Sequence, residues 1–256
     1  ALLYIPFVQT FVVEKVIEIL NKGEGDWQFN VKKIRLGFPL KLKVYGLESN
    51  SKSTGTKLFS VASIVTGLDV IPIFGDYYLI KDVELNNLTL GFDSLTSSLC
   101  LKGSLERLKV TNLSYVPEES LIDVDRIELS KPNVFVGIGP SQDTIKDETP
   151  FGWTIKIDKG LATEGKLRFD MSNKSLEKAV SDSISRPYFD YRHIRFSDLN
   201  FGVNDFCYKE DLLKGDIYNL AARDNCSGVA LEGLLADFMM QDTLIQVKNI
   251  DIGMKN

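Results

Sequence analysis

The fold of this chain is decided by one stretch of sequence, Val83-Glu84-Leu85-Asn86-Asn87-Leu88-Thr89-Leu90-Gly91-Phe92. Its pattern is apolar, any, apolar, any, Asn or Asp, apolar, any, apolar, Gly, apolar. Segments 194–203 and 245–254 match this template at every position, and three full matches argue against coincidence. Looser copies are found at 108–115, 122–129 and 229–236, with a truncated copy at 42–47.

The template predicts a long, kinked strand with one apolar side. Alternation of apolar and polar residues gives a strand with one buried face. The step of three from Leu85 to Leu88 would send the second half to the opposite face of a flat strand. An extra residue accommodated as a bulge at Asn87 restores the face, because Asn, Asp and Gly tolerate the unusual φ that a bulge requires. Each copy is therefore one long strand, or two short ones, with a continuous apolar side.

Outward from the template, the chain is predicted to be mainly β, with an elongated, curved and groove-like sheet. Residues 1–22 form an N-terminal amphipathic helix, and residues 23–256 form the repeat-built β-groove, with a possible break near 139–150. Roughly 15 strands at about 4.8 Å spacing would give a sheet about 70 Å long. Four further elements are predicted: a strand at 59–68, a connection at 69–74, a hairpin pairing 154–160 with 166–170, and one short helix at 172–185 that Pro187 ends.

Composition excludes several classes of function. With 44% hydrophobic and 25% charged residues, the 256-residue chain is neither disordered nor a membrane bundle. The 30 basic and 35 acidic residues give a net charge of −5, which argues against a binder of nucleic-acid phosphates. One His and three Cys leave little room for zinc chemistry or a His-dependent triad. We therefore expect no catalytic residue, no metal site and no cofactor.

The motifs that could indicate chemistry are weak. Gly137-Ile138-Gly139 lacks the third glycine of a dinucleotide loop, and no helix follows it. His193 is expected to be a surface or rim residue. Cys207 and Cys226 could pair in an oxidising compartment, but buried free thiols are the favoured state. A paired-acid glycoside hydrolase is disfavoured because the chain has only two Trp residues, which makes a thin aromatic platform.

Three further sequence features carry a resemblance to a known family. Segment 5–16, the runs 40–47 and 64–68, and the phrase 189–199 resemble parts of the AsmA-like, TamB-type envelope proteins, in their N-terminal, periplasmic portion. The resemblance implies a long β-sheet bent into a groove whose apolar interior carries phospholipid acyl chains between the inner and outer membranes, without a covalent reaction. It also implies the periplasm of a Gram-negative cell. The implied partners are the inner membrane, through the anchor of the full-length protein, and an outer-membrane barrel protein of the BamA/TamA type, through its C-terminal part.

The template and the resemblance together predict which side chains line the groove. The lining residues are Val83, Leu85, Leu88, Leu90, Phe92, Ile194, Phe196, Leu199, Phe201, Val203, Ile245, Val247, Ile250 and Ile252. The membrane-proximal residues are Leu2, Leu3, Tyr4, Ile5, Phe7 and Phe11. Acyl chains and Leu side chains offer similar apolar surface, so the pattern alone leaves an alternative open. In that alternative the strands fill their own core, and the protein is a scaffold for envelope assembly or protein binding.

Overall fold

A computed structural model describes residues 21, 26–37, 41–67, 78–92, 99–139, 152–171, 188–210, 212–241 and 244–255. Within these ranges the secondary-structure elements are strands, which confirms the mainly β class. The predicted N-terminal helix, the helix at 172–185, the connection at 69–74 and the break near 139–150 fall wholly or largely outside the described residues. The membrane-proximal residues also lie outside them.

The described residues form twelve strands that belong to one sheet. The strands are β1 Trp27–Gly37, β2 Lys41–Ser51, β3 Lys57–Gly67, β4 Tyr78–Phe92, β5 Leu99–Val116, β6 Leu121–Ser130, β7 Asn133–Ile138, β8 Thr154–Met171, β9 His193–Lys209, β10 Leu212–Asp224, β11 Ala230–Gln241 and β12 Leu244–Lys255. The predicted strand at 59–68 is confirmed as β3. The rough prediction of 15 strands was too high for the described part.

The sheet follows the chain order, with one exception at β7. Consecutive strands from β1 to β6 and from β8 to β12 pair antiparallel. β6 and β7 lie end to end between β5 and β8, antiparallel to β5 and parallel to β8. Pro132 lies between them, and proline has no backbone N–H to donate to a ladder. The two short strands therefore occupy one position in the sheet.

The predicted hairpin at 154–160 and 166–170 is wrong, because both segments belong to the single strand β8. β8 pairs with β6 along its first half and with β7 along its second half. Between the halves, Glu164 takes a φ of +54° and the register with β9 shifts around Gly165. The strand is therefore kinked near Glu164 but continuous. The sequence instead predicts a turn that reverses the chain at this point.

The unusual φ predicted at the centre of the template is confirmed in all three full copies. Asn87 has a φ of +51°, Asp198 of +54° and Asn249 of +51°. Asn112 (+50°) in one looser copy and Gly46 (+62°) in the truncated copy adopt the same conformation, whereas Arg126 and Gly233, at the centre of the other two looser copies, do not. Asn, Asp and Gly are the residues that enter this left-handed region at least cost.

The predicted extra residue at Asn87, however, is absent. Asn86 lies opposite Ser63 and Arg107, and Leu88 lies opposite Val61 and Leu105, so the register with both neighbours is the same on either side of Asn87. Ala62, the residue beside Asn87 on β3, also lies beside Gly46 on β2. Gly46 and Asn87, on the two strands that flank β3, therefore adopt the left-handed conformation at the same level, and none of the three strands gains a residue over its neighbour there. Around Asp198 and Asn249 the ladders do shift in register, as a bulge requires.

The two edges of the sheet differ. On β1, the side chain of Asn21 binds the backbone of Phe29 twice, accepting from its N–H at 2.7 Å and donating to its carbonyl at 2.9 Å. These two hydrogen bonds occupy the backbone donor and acceptor of Phe29, as a paired strand would. β12 pairs with β11 alone among the described strands.

Candidate functional site: the apolar face of the sheet

One face of the sheet carries a continuous band of apolar side chains, here called the apolar face. Residues directly opposite one another on paired strands share a face. Following the register from β1 to β10 gives one unbroken lateral row: Ile34, Val44, Ile64, Leu85, Leu108, Leu129, Ala162, Phe201 and Leu220. A second row runs beside it from β3 to β11: Thr66, Val83, Val110, Ile127, Gly160, Val203, Ile217 and Ala236. The apolar surface thus extends across the strands as well as along them.

The large side chains of this face are only half-buried. The apolar residues that are buried in the described part are Val61, Cys100, Val110, Val124, Ala162, Val203, Ala222 and Ala236. Apart from Cys100, these are Val and Ala residues, and Val110, Ala162, Val203 and Ala236 belong to the two lateral rows. Leu85, Leu88 and Leu90 remain half-buried between neighbouring strands. On a single sheet, small residues are screened by taller neighbours, whereas a second layer would bury the tall residues first. This pattern is that of a face without a second layer among the described residues.

The residues predicted to line the groove take three kinds of position. The five on β4 are half-buried, and cross-strand pairs place Leu85 against Ile64 and Leu108. Four of the five on β9 are also half-buried. The exception is Val203, which is 7% exposed because its side chain lies over Gly160, where an added Cβ would come within 2.8 Å of Val203 Cγ1.

The residues on β12 are the most exposed of the predicted set. Val247 is 46% exposed, Ile250 55% and Ile252 50%, whereas Leu88 and Leu90, at the same template positions as Ile250 and Ile252, are half-buried. The backbone of Ile245 lies opposite Met240. The template is the same in both strands, so the difference comes from position: β4 has a neighbour on each side and β12 lies at the edge.

An aromatic cluster on the apolar face was missed by sequence reasoning. Trp27 lies 6.2 Å from Phe59 and 5.9 Å from Phe92 between ring centroids, and Phe29 lies 6.2 Å from Phe59. Of these four residues only Phe92 belongs to a template copy. Plain alternation in Trp27, Phe29 and Val31 was a signal that could have found the others.

Beneath these rings lies a buried hydroxyl. Ser49, opposite Phe29 on β1 and Phe59 on β3, is 0% exposed, and its hydroxyl has no hydrogen-bond partner within the described part of the chain.

The opposite face of the sheet is polar and holds a buried ion cluster. Asp170 is 0% exposed and accepts a hydrogen bond from Arg168 Nε at 3.0 Å. Its other oxygen lies 2.7 Å from Arg195 Nη1. Two guanidinium groups on adjacent strands thus neutralise one buried carboxylate, which joins β8 to β9. This arrangement is structural, since the carboxylate is fully enclosed.

A second buried carboxylate organises the turn between β10 and β11. Asp224 is 1% exposed, and burial alone would raise its pKa. Hydrogen bonds from the Ser227 hydroxyl (2.6 Å), the Ser227 N–H (2.9 Å) and the Arg195 N–H (3.1 Å) outweigh that effect and hold the pKa of Asp224 below its ordinary value of 3.8. The carboxylate is therefore an acceptor that fixes the turn.

Among the described residues, no group of three or more His, Cys, Asp or Glu is placed so that it could hold a metal ion. His193 is half-buried, and its Nδ1 lies 3.0 Å from Asp190 Oδ2. Cys100, Cys207 and Cys226 are free thiols. A depression of about 340 Å³ on the sheet is bordered mainly by charged or polar side chains, namely Asp205, Lys214, Asp216, Asp237, Gln246 and Lys248.

Comparison with known proteins does not assign the chain to a family. No protein-family model, no curated protein and no solved structure matches it. Among the described residues, no helix has the length and apolar character needed to cross a bilayer. The apolar face is therefore the feature from which function must be argued.

Proposed function

We propose that this protein is a non-enzymatic lipid-transfer module whose apolar face carries phospholipid acyl chains. The observation that carries the proposal is the apolar face, which no second layer of the described residues covers and whose Leu, Ile and Phe side chains remain half-buried along unbroken lateral rows. Apolar surface left in water is costly, at about 25 cal/mol per Å². A face of this extent needs a cover, and an acyl chain supplies one that can slide and be exchanged.

The dimensions of the face suit an acyl chain. The row from Ile34 to Leu220 makes about eight inter-strand steps of about 4.8 Å, a length of about 38 Å. One leaflet of a bilayer contributes about 15 Å of hydrocarbon, half of a core about 30 Å thick. The row could therefore hold more than one acyl chain end to end. Each buried CH₂ contributes about 0.8 kcal/mol, so a chain in contact over a fraction of its length is held firmly.

The bend that would turn the sheet into a groove is also part of the proposal. Gly46 on β2 and Asn87 on β4 adopt left-handed φ at one level of the sheet, with Ala62 between them. Strands that kink together at one level bend in the same sense, since a local left-handed residue re-aims the strand that follows. A crease of this kind would curve the apolar face inward around a lipid.

The compartment and the protein partners rest on the sequence resemblance alone. An AsmA-like, TamB-type protein would work in the periplasm of a Gram-negative cell. It would be anchored in the inner membrane and would deliver phospholipid towards an outer-membrane barrel protein of the BamA/TamA type. The apolar face is compatible with such a route because it runs across the strands, from one strand to the next, without a polar interruption in the row from Ile34 to Leu220.

The test is whether gently purified protein retains phospholipid. Native mass spectrometry and organic extraction of one sample should find phospholipid at a reproducible stoichiometry. Leu90→Asp should lose that lipid while keeping its circular dichroism, and Thr89→Asp, on the polar face of the same strand, should keep both. Lipid-free wild-type protein of high thermal stability would overturn the proposal in favour of a filled-core scaffold for envelope assembly or protein binding.

A further inference from the structure

One rim of the sheet exposes an aromatic surface next to the apolar face. The aromatic rim consists of Met171, at the end of β8, and Tyr188, Phe189, Tyr191 and Arg192, just before β9. Tyr188 is 62% exposed, Tyr191 61%, Phe189 45% and Met171 39%. Single exposed apolar side chains are ordinary on protein surfaces, but four grouped at one rim mark an interaction site.

The backbone of this rim is held by several hydrogen bonds. The Asp190 carboxylate accepts from the Arg192 N–H at 3.0 Å, and the Asp190 carbonyl accepts from the His193 N–H at 3.0 Å. The Met171 N–H donates to the Arg192 carbonyl at 2.8 Å, which ties the turn to the end of β8. The aromatic side chains are therefore presented by a fixed turn.

The rim is continuous with the apolar face. The ring of Phe189 stacks on the ring of Phe196, with centroids 6.3 Å apart and an angle of 18° between the ring planes. Phe196 lies opposite Leu167 on β8. Its partner on β10 is Asp224, whose carboxylate is bonded within the turn that follows. A lipid tail leaving the rim would pass from Phe189 to Phe196 and on to Leu167.

The charge at the aromatic rim suits a phospholipid surface. The Arg192 guanidinium lies 5.6 Å from the centroid of the Tyr191 ring and makes no ion pair with a carboxylate of the described residues. Nearby carboxylates have other partners: Asp190 lies against the His193 ring, and Asp170 pairs with Arg168 and Arg195. Aromatic residues and an available cation are the composition of a contact with lipid headgroups.

The opposite rim has the opposite character. The turn from β5 to β6 exposes Glu118 and Glu119, and the turn from β9 to β10 exposes Glu210. An anionic bilayer surface repels these carboxylates. The opposite rim also exposes Leu79, Met240 and Leu244, so the two rims differ in aromatic content and in the charge of their turns.

From this asymmetry we infer that the aromatic rim docks on the surface of a phospholipid bilayer, with Tyr188 and Tyr191 at the headgroup level and Arg192 on lipid phosphate. The inference rests on the proposed lipid-carrying function, and it names the surface by which lipid enters or leaves. Tyr and Arg also favour protein contacts. The aromatic rim is continuous with the apolar face through Phe189 and Phe196, which favours a bilayer over a protein partner. A lipid needs such an apolar path between the two surfaces, and a protein partner does not.

The experiment is flotation of the full chain with vesicles of phosphatidylethanolamine and phosphatidylglycerol. The double variant Tyr188→Ser, Tyr191→Ser should bind at least about tenfold more weakly, since each exposed ring can bury a large part of its 150–250 Å² in the interface. Leu244→Ser, on the opposite rim and 55% exposed in the wild type, is the matched control and should bind as the wild type does. Arg192→Gln should weaken binding to these vesicles more than to vesicles of phosphatidylcholine alone.

The two proposals fail in distinguishable ways. Co-purified lipid that persists in the double variant, together with lost flotation, supports both. Lipid in the wild type with no flotation, or flotation unaffected by the double substitution, overturns the aromatic rim as a bilayer contact and leaves a protein-binding rim as its replacement. A wild type free of lipid that floats normally overturns the transfer function while leaving the bilayer contact in place.

Discussion

The substitution Leu90→Asp separates an open apolar face from a filled core. Leu90 is half-buried and lies between Phe59 on β3 and Gly103 on β5. Gly103 has no side chain to cover it, and none can be added, because a Cβ there would lie 2.8 Å from the Asn133 carbonyl oxygen. Leu90 is therefore open on its β5 side, where a ligand can approach.

The expected loss of stability follows from this position. Full burial of a Leu side chain contributes about 1.5–3 kcal/mol, so Leu90, which is largely but not fully buried, contributes about 1–2 kcal/mol. On an open face the new carboxylate reaches water and adds about 0.5–1 kcal/mol of cross-strand cost. The free energy of unfolding should fall by about 2 kcal/mol. Beneath a second protein layer, the same carboxylate would be desolvated at a cost of several kcal/mol, and the total would exceed about 4 kcal/mol.

Urea unfolding followed by circular dichroism measures the stability, and extraction with native mass spectrometry measures the bound lipid. Thr89→Asp is the control, because Thr89 is exposed on the polar face, where its hydroxyl pairs with that of Ser60 at 2.6 Å. Leu90→Asp should lose bound phospholipid by about tenfold or more, a difference of about 1.4 kcal/mol or more in binding. A loss of stability above about 4 kcal/mol, or an unchanged lipid content in a folded variant, would refute the reasoning.

Three further predictions concern the fold itself. Asn87→Val should cost about 1–2 kcal/mol of unfolding free energy, because a β-branched residue resists a φ of +51°, whereas Asn87→Gly should stay within about 0.5 kcal/mol; equal costs in urea titrations would contradict this. Ser49→Ala should stabilise the protein by about 1 kcal/mol, since it removes a buried hydroxyl that lacks a partner, and a lower melting temperature would show that the hydroxyl is bonded. Because the folded-state pKa of Asp224 lies below its ordinary 3.8, the unfolded chain takes up the proton first as pH falls; the stabilisation is present above about pH 5 and is lost on acidification through the folded pKa. Asp224→Asn should flatten that decline between about pH 5 and 3, and a pH profile parallel to the wild type would count against it.

Local chemistry made part of this fold predictable. The residue at the centre of the template predicts its own conformation, because Asn and Asp favour the left-handed region. Asn87, Asp198 and Asn249 all adopt that conformation. The step of three in the apolar pattern has the same cause. These features depend only on residues adjacent in the chain, so one sequence contains enough information to predict them.

Features that depend on neighbouring strands were predicted less well. The segments 154–160 and 166–170 have the alternation of two strands, and no local signal separates a reversal at Glu164 from a kink. β8 stays continuous because β6 and β7 together offer it a ladder of matching length. The aromatic cluster of Trp27, Phe29 and Phe59 was missed for a similar reason: its rings come from β1 and β3, and only the register brings them together.

The sequence by itself determined the strand character, the apolar side of each strand and the positions of the kinks, because alternation and φ preference act over a few residues. Only the tertiary structure decided that these apolar sides join into lateral rows, since the register between strands sets which residues meet. It also decided how exposed each copy of the template is. Leu88 and Ile250 occupy the same template position, yet the first is half-buried between two strands and the second is 55% exposed on an edge strand, because burial in a single sheet depends on how many neighbours a strand has.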